Sequence, residues 1–110
     1  MKRITIFLSV VLLTACGSSK LITPTQADVD REKFNNPGLT LAQLELGMAN
    51  YRTYCNVCHE LYSPTSHNAE QWQGIVPDMV QKNNGRPQGE KIDPATEESI
   101  LTYLITMSAK

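Results

Sequence analysis

The chain of 110 residues has few of the side chains on which most site chemistry is built. It carries three cysteines and two histidines. Apart from Cys55 and Cys58 there is no second Cys pair and no closely spaced His pair, so the four donors of a closed zinc site are missing. No segment alternates polar and apolar residues long enough to read as a strand. That excludes sheet architectures, and with them the βαβ surroundings of a thioredoxin-like Cys-x-x-Cys. Basic runs are lacking too: 10 Lys and Arg face 11 Asp and Glu, which offers no nucleic-acid surface. The one long apolar run, residues 4–13, is too short to span a bilayer as a stable anchor.

What is present starts with Cys55-Asn56-Val57-Cys58-His59. Two thiols three residues apart share a face of one helical turn. They can add to the two vinyl groups of one haem, with the adjacent imidazole as proximal iron ligand. A redox dithiol and half a zinc site use the same residues, but the surroundings each needs are the ones excluded above. The expected cofactor is therefore one covalently attached haem c, held by Cys55, Cys58 and His59.

The N-terminus agrees with that chemistry. Met1-Lys2-Arg3 is a basic start, the apolar run follows, and Leu13-Thr14-Ala15-Cys16 resembles a bacterial lipobox. On this reading residues 1–15 are a lipoprotein signal peptide and Cys16 is lipidated. An ordinary secretory signal with an incidental cysteine is the alternative. One cysteine for lipid and two for haem leave no stray thiol in an exported chain. Several acyl chains, at about 0.8 kcal/mol per buried CH₂, make a durable membrane anchor. Gly17 stands where Asp would signal inner-membrane retention in many Gram-negative bacteria, which points to the periplasmic side of the outer membrane.

Residues 16–38 read as the lipidated N-terminus and a flexible tether, polar and without apolar period, of about 25 Å root-mean-square span for some 20 residues. The alternative is that its last few residues, Phe34 among them, pack on the domain. Residues 39–110 then form one small domain. Loss of Lys2 and Arg3 leaves eight basic against eleven acidic side chains. Protein core alone makes so short a chain marginal, so a buried porphyrin should supply much of its apolar contact and the apo-protein should fold poorly.

Three helices are expected around the haem, in an all-α domain. Thr40-x-x-Gln43 is a capping box, followed by Leu41, Leu44, Met48, Tyr51 and Cys55 at helical spacing. Gly47 within that helix costs about 1 kcal/mol relative to Ala and marks a close helix crossing. Asn68-x-x-Gln71 opens a second helix with Trp72, Ile75, Val76, Met79 and Val80 on one face. Pro77 must bend or end it. Residues 83–91 form a loop. Asp93-Pro94 opens the third helix, with Ile100, Leu101, Leu104, Ile105 and Ser108 as its buried stripe and Tyr103 and Met107 on the flank.

These elements resemble a known family. Gly47-x-x-x-Tyr51-x-x-x-Cys55-x-x-Cys58-His59 is similar to the N-terminal helix of class I c-type cytochromes. Leu101-x-Tyr103-Leu104 is similar to their C-terminal helix, whose aromatic residue packs near that Gly. Leu61-Tyr62-Ser63-Pro64, Trp72-x-x-Ile75-Val76-x-x-Met79 and Ile100-Leu101-x-Tyr103-Leu104 resemble small monohaem domains of dihaem-cytochrome-like sequences. The resemblance covers about residues 40–106 and departs at Pro77, where that group has an uninterrupted helix. It implies Met79 as distal ligand. Side-chain chemistry alone keeps His67, Met107, Met48 and an open position as alternatives, with His67 the chemical rival. Tyr62 and Trp72 are expected to pack on the porphyrin or in the core.

Function then reads as single-electron transfer outside the cytoplasm, without catalysis. The partners are redox proteins, met as a monomer or as a subunit of a respiratory complex. The alternative is a peroxidase-like enzyme or ligand sensor with an open or displaceable sixth position; its missing feature is an acid/base pair beside Met79.

Overall fold

The structure is a computed structural model and describes residues 21–56 and 60–110. Four α-helices occur among them: α1 (Gln26–Glu32), α2 (Leu41–Cys55), α3 (Ala69–Asn84) and α4 (Pro94–Ser108). A single 3₁₀ turn, Pro64–Ser66, precedes α3, and no strand is found among the described residues. The class is all-α, with one helix more than the three read from the sequence.

Three of the helix starts follow from their caps. The Thr40 hydroxyl accepts from the Gln43 N–H at 3.2 Å while Gln43 Oε1 accepts from the Thr40 N–H at 2.9 Å. Asn68 and Gln71 repeat this pairing at 2.8 and 2.9 Å. Asp93 Oδ1 accepts from the Thr96 N–H at 2.7 Å, with Pro94 as first helical residue. Each satisfies donors that the first helical turn leaves unpaired.

Helix α4 is the hub and touches α1, α2, α3 and the 3₁₀ turn. Its closest partner is α2, and Gly47 allows the approach. A Cβ there would fall 2.7 Å from Tyr103 Cβ and collide with the Ser99 carbonyl. Beside the crossing, Tyr51, Trp72, Val76, Ile100, Tyr103 and Leu104 form the centre of the core. The buried arc of α4 is rotated from the expected stripe: Tyr103 and Met107 are fully buried, and Leu101, Ile105 and Ser108 are half-buried. A helix covered from several sides buries more than one stripe.

Helix α3 runs unbroken through Pro77. Pro77 deprives the Gln73 carbonyl of its partner, but both residues are exposed and water can take the vacant bond. The helix also extends into the expected loop, with Asn83 buried. Beyond it, Asn84 Oδ1 accepts from the Ile92 N–H at 2.8 Å and Asn84 Nδ2 donates to the Ile92 carbonyl at 2.9 Å. Lys91 Nζ closes the turn on the carbonyls of Asn84 and Arg86. At the turn, Gly89 takes φ 103°, a left-handed value that suits glycine.

The N-terminal segment departs most from expectation. Residues 21–32 are folded onto the domain instead of forming an open tether, whereas residues 33–38 are exposed. Leu21 and Ile22 pack on the main core, and Val29 joins Leu39 and Leu44 in a second, smaller one. Phe34, the residue named for packing in the alternative reading, is 95% exposed. The overlooked signal is Thr25-x-x-Asp28, a capping box with Asp in place of Glu or Gln; the Thr25 N–H and hydroxyl both donate to Asp28 Oδ2, at 2.8 and 3.0 Å.

Candidate functional site

A cavity of about 420 Å³ opens between the end of α2, one face of α3 and the segment before α4. That volume is in the range of sites that hold a cofactor or small molecule, about 300–1,000 Å³. Helix α3 divides its apolar residues between two faces. Trp72, Val76 and Val80 enter the core, whereas Ile75 and Met79, one turn apart, line the cavity with Asp78 and Lys82. Tyr54 and Cys55 enter from the last turn of α2, Ile92 from the pinned loop, and Tyr62 and His67 from the segment before α3.

The sequence-derived donors separate clearly. Cys55 and Met79 line this one cavity, and so does the rival ligand His67. Met107 is fully buried in the core, and Met48 packs against the core from α2; neither lines the cavity. Cys58, His59 and Cys16 lie outside the described residues. Among the described residues no three His, Cys, Asp or Glu side chains converge as a metal-ligating cluster. A thioether such as Met79 falls outside that donor set.

The two aromatic candidates part ways. Tyr62 lines the cavity and is 46% exposed. Trp72 is fully buried and is not part of the lining. Its indole N–H donates to the Pro64 carbonyl at 2.8 Å, and its ring meets His67 edge-on at a centroid distance of 4.8 Å. Trp72 therefore holds the 3₁₀ turn and backs the imidazole. Tyr51 does the same for Tyr62: its hydroxyl donates to the Tyr62 carbonyl at 2.9 Å and accepts from the Tyr62 N–H at 3.1 Å. Burial, and then the charge of Cys55, push the Tyr51 phenol well above its usual range, so it stays a neutral donor.

Charge is confined to the cavity edge. Lys82 pairs with Asp78 at 2.8 Å, both largely exposed, and this bond raises the Lys82 pKa. Glu90 beside Tyr54 raises that phenol. The residues that sequence reasoning missed at this site are Tyr54, Asp78, Lys82, Asn83 and Ile92. Lys82 stands three residues past Met79 and could have been found from helical spacing. Ile92 is brought in by the Asn84 side chain, for which no short-range pattern exists.

A soft sulfur, a thiol and an imidazole around an apolar pocket suit a haem that is bonded through cysteine and capped by a side-chain donor. Comparison of the chain with family models, with curated proteins and with solved structures gives no match. Among the described residues no helix is long and apolar enough to cross a membrane.

Proposed function

We propose that this protein is a lipid-anchored c-type cytochrome that passes single electrons between redox proteins outside the cytoplasm. The supporting observation is that Met79, the thioether expected on the distal side, lines the same cavity as Cys55, the first residue of Cys55-x-x-Cys58-His59. Cys55 and Cys58 would hold haem c by thioether bonds, His59 would bind the iron on one side and Met79 on the other. The group supplies a one-electron Fe(III)/Fe(II) couple when bound. The chain's part is to choose the donors, exclude water and limit rearrangement. A soft Met79 sulfur favours the ferrous state relative to an imidazole in the same place. Ile75 and Ile92 keep the surroundings apolar. With His59 and Met79 both as its protein ligands, the group would leave no place for substrate, which favours transfer over catalysis. Lipid on Cys16 would keep the carrier at a bacterial envelope membrane, the outer one on the evidence of Gly17.

The placement of His67 in the same cavity favours one alternative, a displaceable sixth position as in a ligand sensor or peroxidase-like enzyme. Absorption spectra of the purified ferric protein separate the two. A weak long-wavelength sulfur-to-iron band is expected and should vanish in Met79→Ala. Persistence of the band in the variant removes Met79 from the iron. Its absence from the unmodified protein, with rapid CO binding to the ferrous form, supports the sensor reading instead.

A further inference from the structure

The described part of the segment read from sequence as a free tether is anchored at Ile22 and again at Asp28 and Arg31, and to the helix that contributes nothing to the cavity. The Tyr103 hydroxyl donates to the Ile22 carbonyl at 2.8 Å and accepts from the Ile22 N–H at 3.2 Å. These two bonds replace a backbone pairing and hold Ile22 against the middle of α4. Six residues further on, the arm is fastened again. Asp28, 1% exposed, accepts from Arg31 Nη1 at 2.7 Å and from Lys110 Nζ at 3.3 Å. Arg31 Nη2 donates to the Thr106 carbonyl at 2.8 Å. Leu21, Ile22 and Val29 add apolar contact on either side of these polar bonds. No residue of the arm and none of α4 lines the cavity.

The consequence is one of length. Lipid on Cys16 would be five residues from Leu21, and even a fully extended chain spans no more than about 17 Å over that distance. An unattached segment to residue 38 would instead wander over about 25 Å in root-mean-square terms and permit much longer excursions.

We propose that the arm of residues 21–32 seats the domain directly on the bilayer, with the end of the arm beside α4 held at the lipid surface and the cavity between α2 and α3 left uncovered for a redox partner. The interaction surface is thus the arm side of α4, and its partner is the lipid headgroup layer. This inference rests on the reading of Cys16 as the lipidated residue. The docked arm serves as a short, stiff spacer that fixes both height and orientation, which a free tether cannot do.

The test uses the complete lipidated holoprotein on a supported phosphatidylcholine bilayer, with the water gap beneath the protein layer measured by neutron reflectometry. A gap below about 17 Å is expected, and insertion of twelve Gly/Ser residues between Lys20 and Leu21 should widen it. Equal gaps in the two proteins would overturn the proposal. Amide hydrogen exchange in the same protein tests the arm independently of lipid. Ile22 should be protected, and Tyr103→Phe should accelerate its exchange at least tenfold while Leu104, in the centre of α4, is unchanged. An Ile22 amide that exchanges like open chain, or equal acceleration at Leu104, would also overturn it. Failure of the anchor looks different: the mass of the mature chain would lack acyl groups and the protein would wash from the bilayer, although Ile22 stayed protected. The seating on lipid would then fall with the anchor, and the docked arm alone would stand.

Discussion

Single atoms decide several features of this domain. The missing Cβ of Gly47 is the clearest, because the neighbours that a methyl would meet are the Ser99 carbonyl and the Cβ of Tyr103, neither of which is the loose end of a side chain. Ala would add about 1 kcal/mol of helix propensity. Overpacking against backbone costs about 1–3 kcal/mol, so the clash outweighs the gain. Gly47→Ala should therefore lower the stability by up to about 2 kcal/mol in chemical denaturation, or separate α2 from α4. The indole N–H of Trp72 is a second case. In Trp72→Phe the Pro64 carbonyl loses a buried donor, which costs about 1–3 kcal/mol. The 3₁₀ turn and the His67 ring beside it should loosen, visible as line broadening of the His67 imidazole protons with Tyr103 unaffected.

Among the elements, α1 depends most on one ion cluster. Burial pushes the Asp28 carboxyl up, but Arg31, the two Thr25 donors and Lys110 together outweigh it and hold the group at about 2, against 3.8 in an unfolded chain. A carboxyl depressed in the folded state stabilises fully above its unfolded pKa and loses that contribution as pH falls through the folded value. The cluster should therefore hold α1 in place above about pH 4 and release it progressively towards pH 2, a loss of about 2 kcal/mol in all. Asp28→Asn should remove the pH dependence of α1 docking, followed by amide exchange at Val29, and leave α3 untouched. The loop before α4 has a comparable single support. Asn84→Ala strips Ile92 of both its backbone partners and should open that side of the cavity, at a cost of about 1–3 kcal/mol in unfolding free energy.

For the molecule as a whole, the balance lies between a small protein core and a cofactor that would complete it. The main core is built from three helices around one Trp and two Tyr rings, with Tyr51 6.4 Å from Trp72 and 6.2 Å from Tyr103. A cavity of about 420 Å³ next to that core leaves Ile75 and Met79 only half-covered by protein. A chain of this length buries a modest share of its surface, so filling the cavity should matter to stability. The double variant Cys55→Ala/Cys58→Ala, exported and lipidated as before, should lack covalent haem by mass and melt well below the parent protein. A variant with the parent's melting temperature would show that the domain needs no cofactor to fold, and would weaken the cytochrome reading.

How much of this was legible along the chain depends on the range of the interaction concerned. The all-α class, the caps at Thr40, Asn68 and Asp93, and the close crossing at Gly47 were legible because each rests on residues a few positions apart or on one special side chain. The Cys-x-x-Cys-His spacing, on which the proposed haem attachment rests, is likewise visible as five consecutive residues. Helix α1 escaped because its capping box uses Asp and its own apolar content is little more than Val29, so what holds it is the contact of Asp28 and Arg31 with Lys110 and Thr106 far along the chain. The choice between donors also needed three dimensions. Met48, Met79 and Met107 look alike on a helical wheel, and their separation into core and cavity follows from which face of α2, α3 or α4 a neighbouring helix covers. Local hydrogen bonding and periodicity are written in consecutive residues and set the elements and the Cys-x-x-Cys-His spacing; burial is a property of neighbours brought together by packing, and it alone set which sulfur faces the cavity and how the N-terminal arm is held.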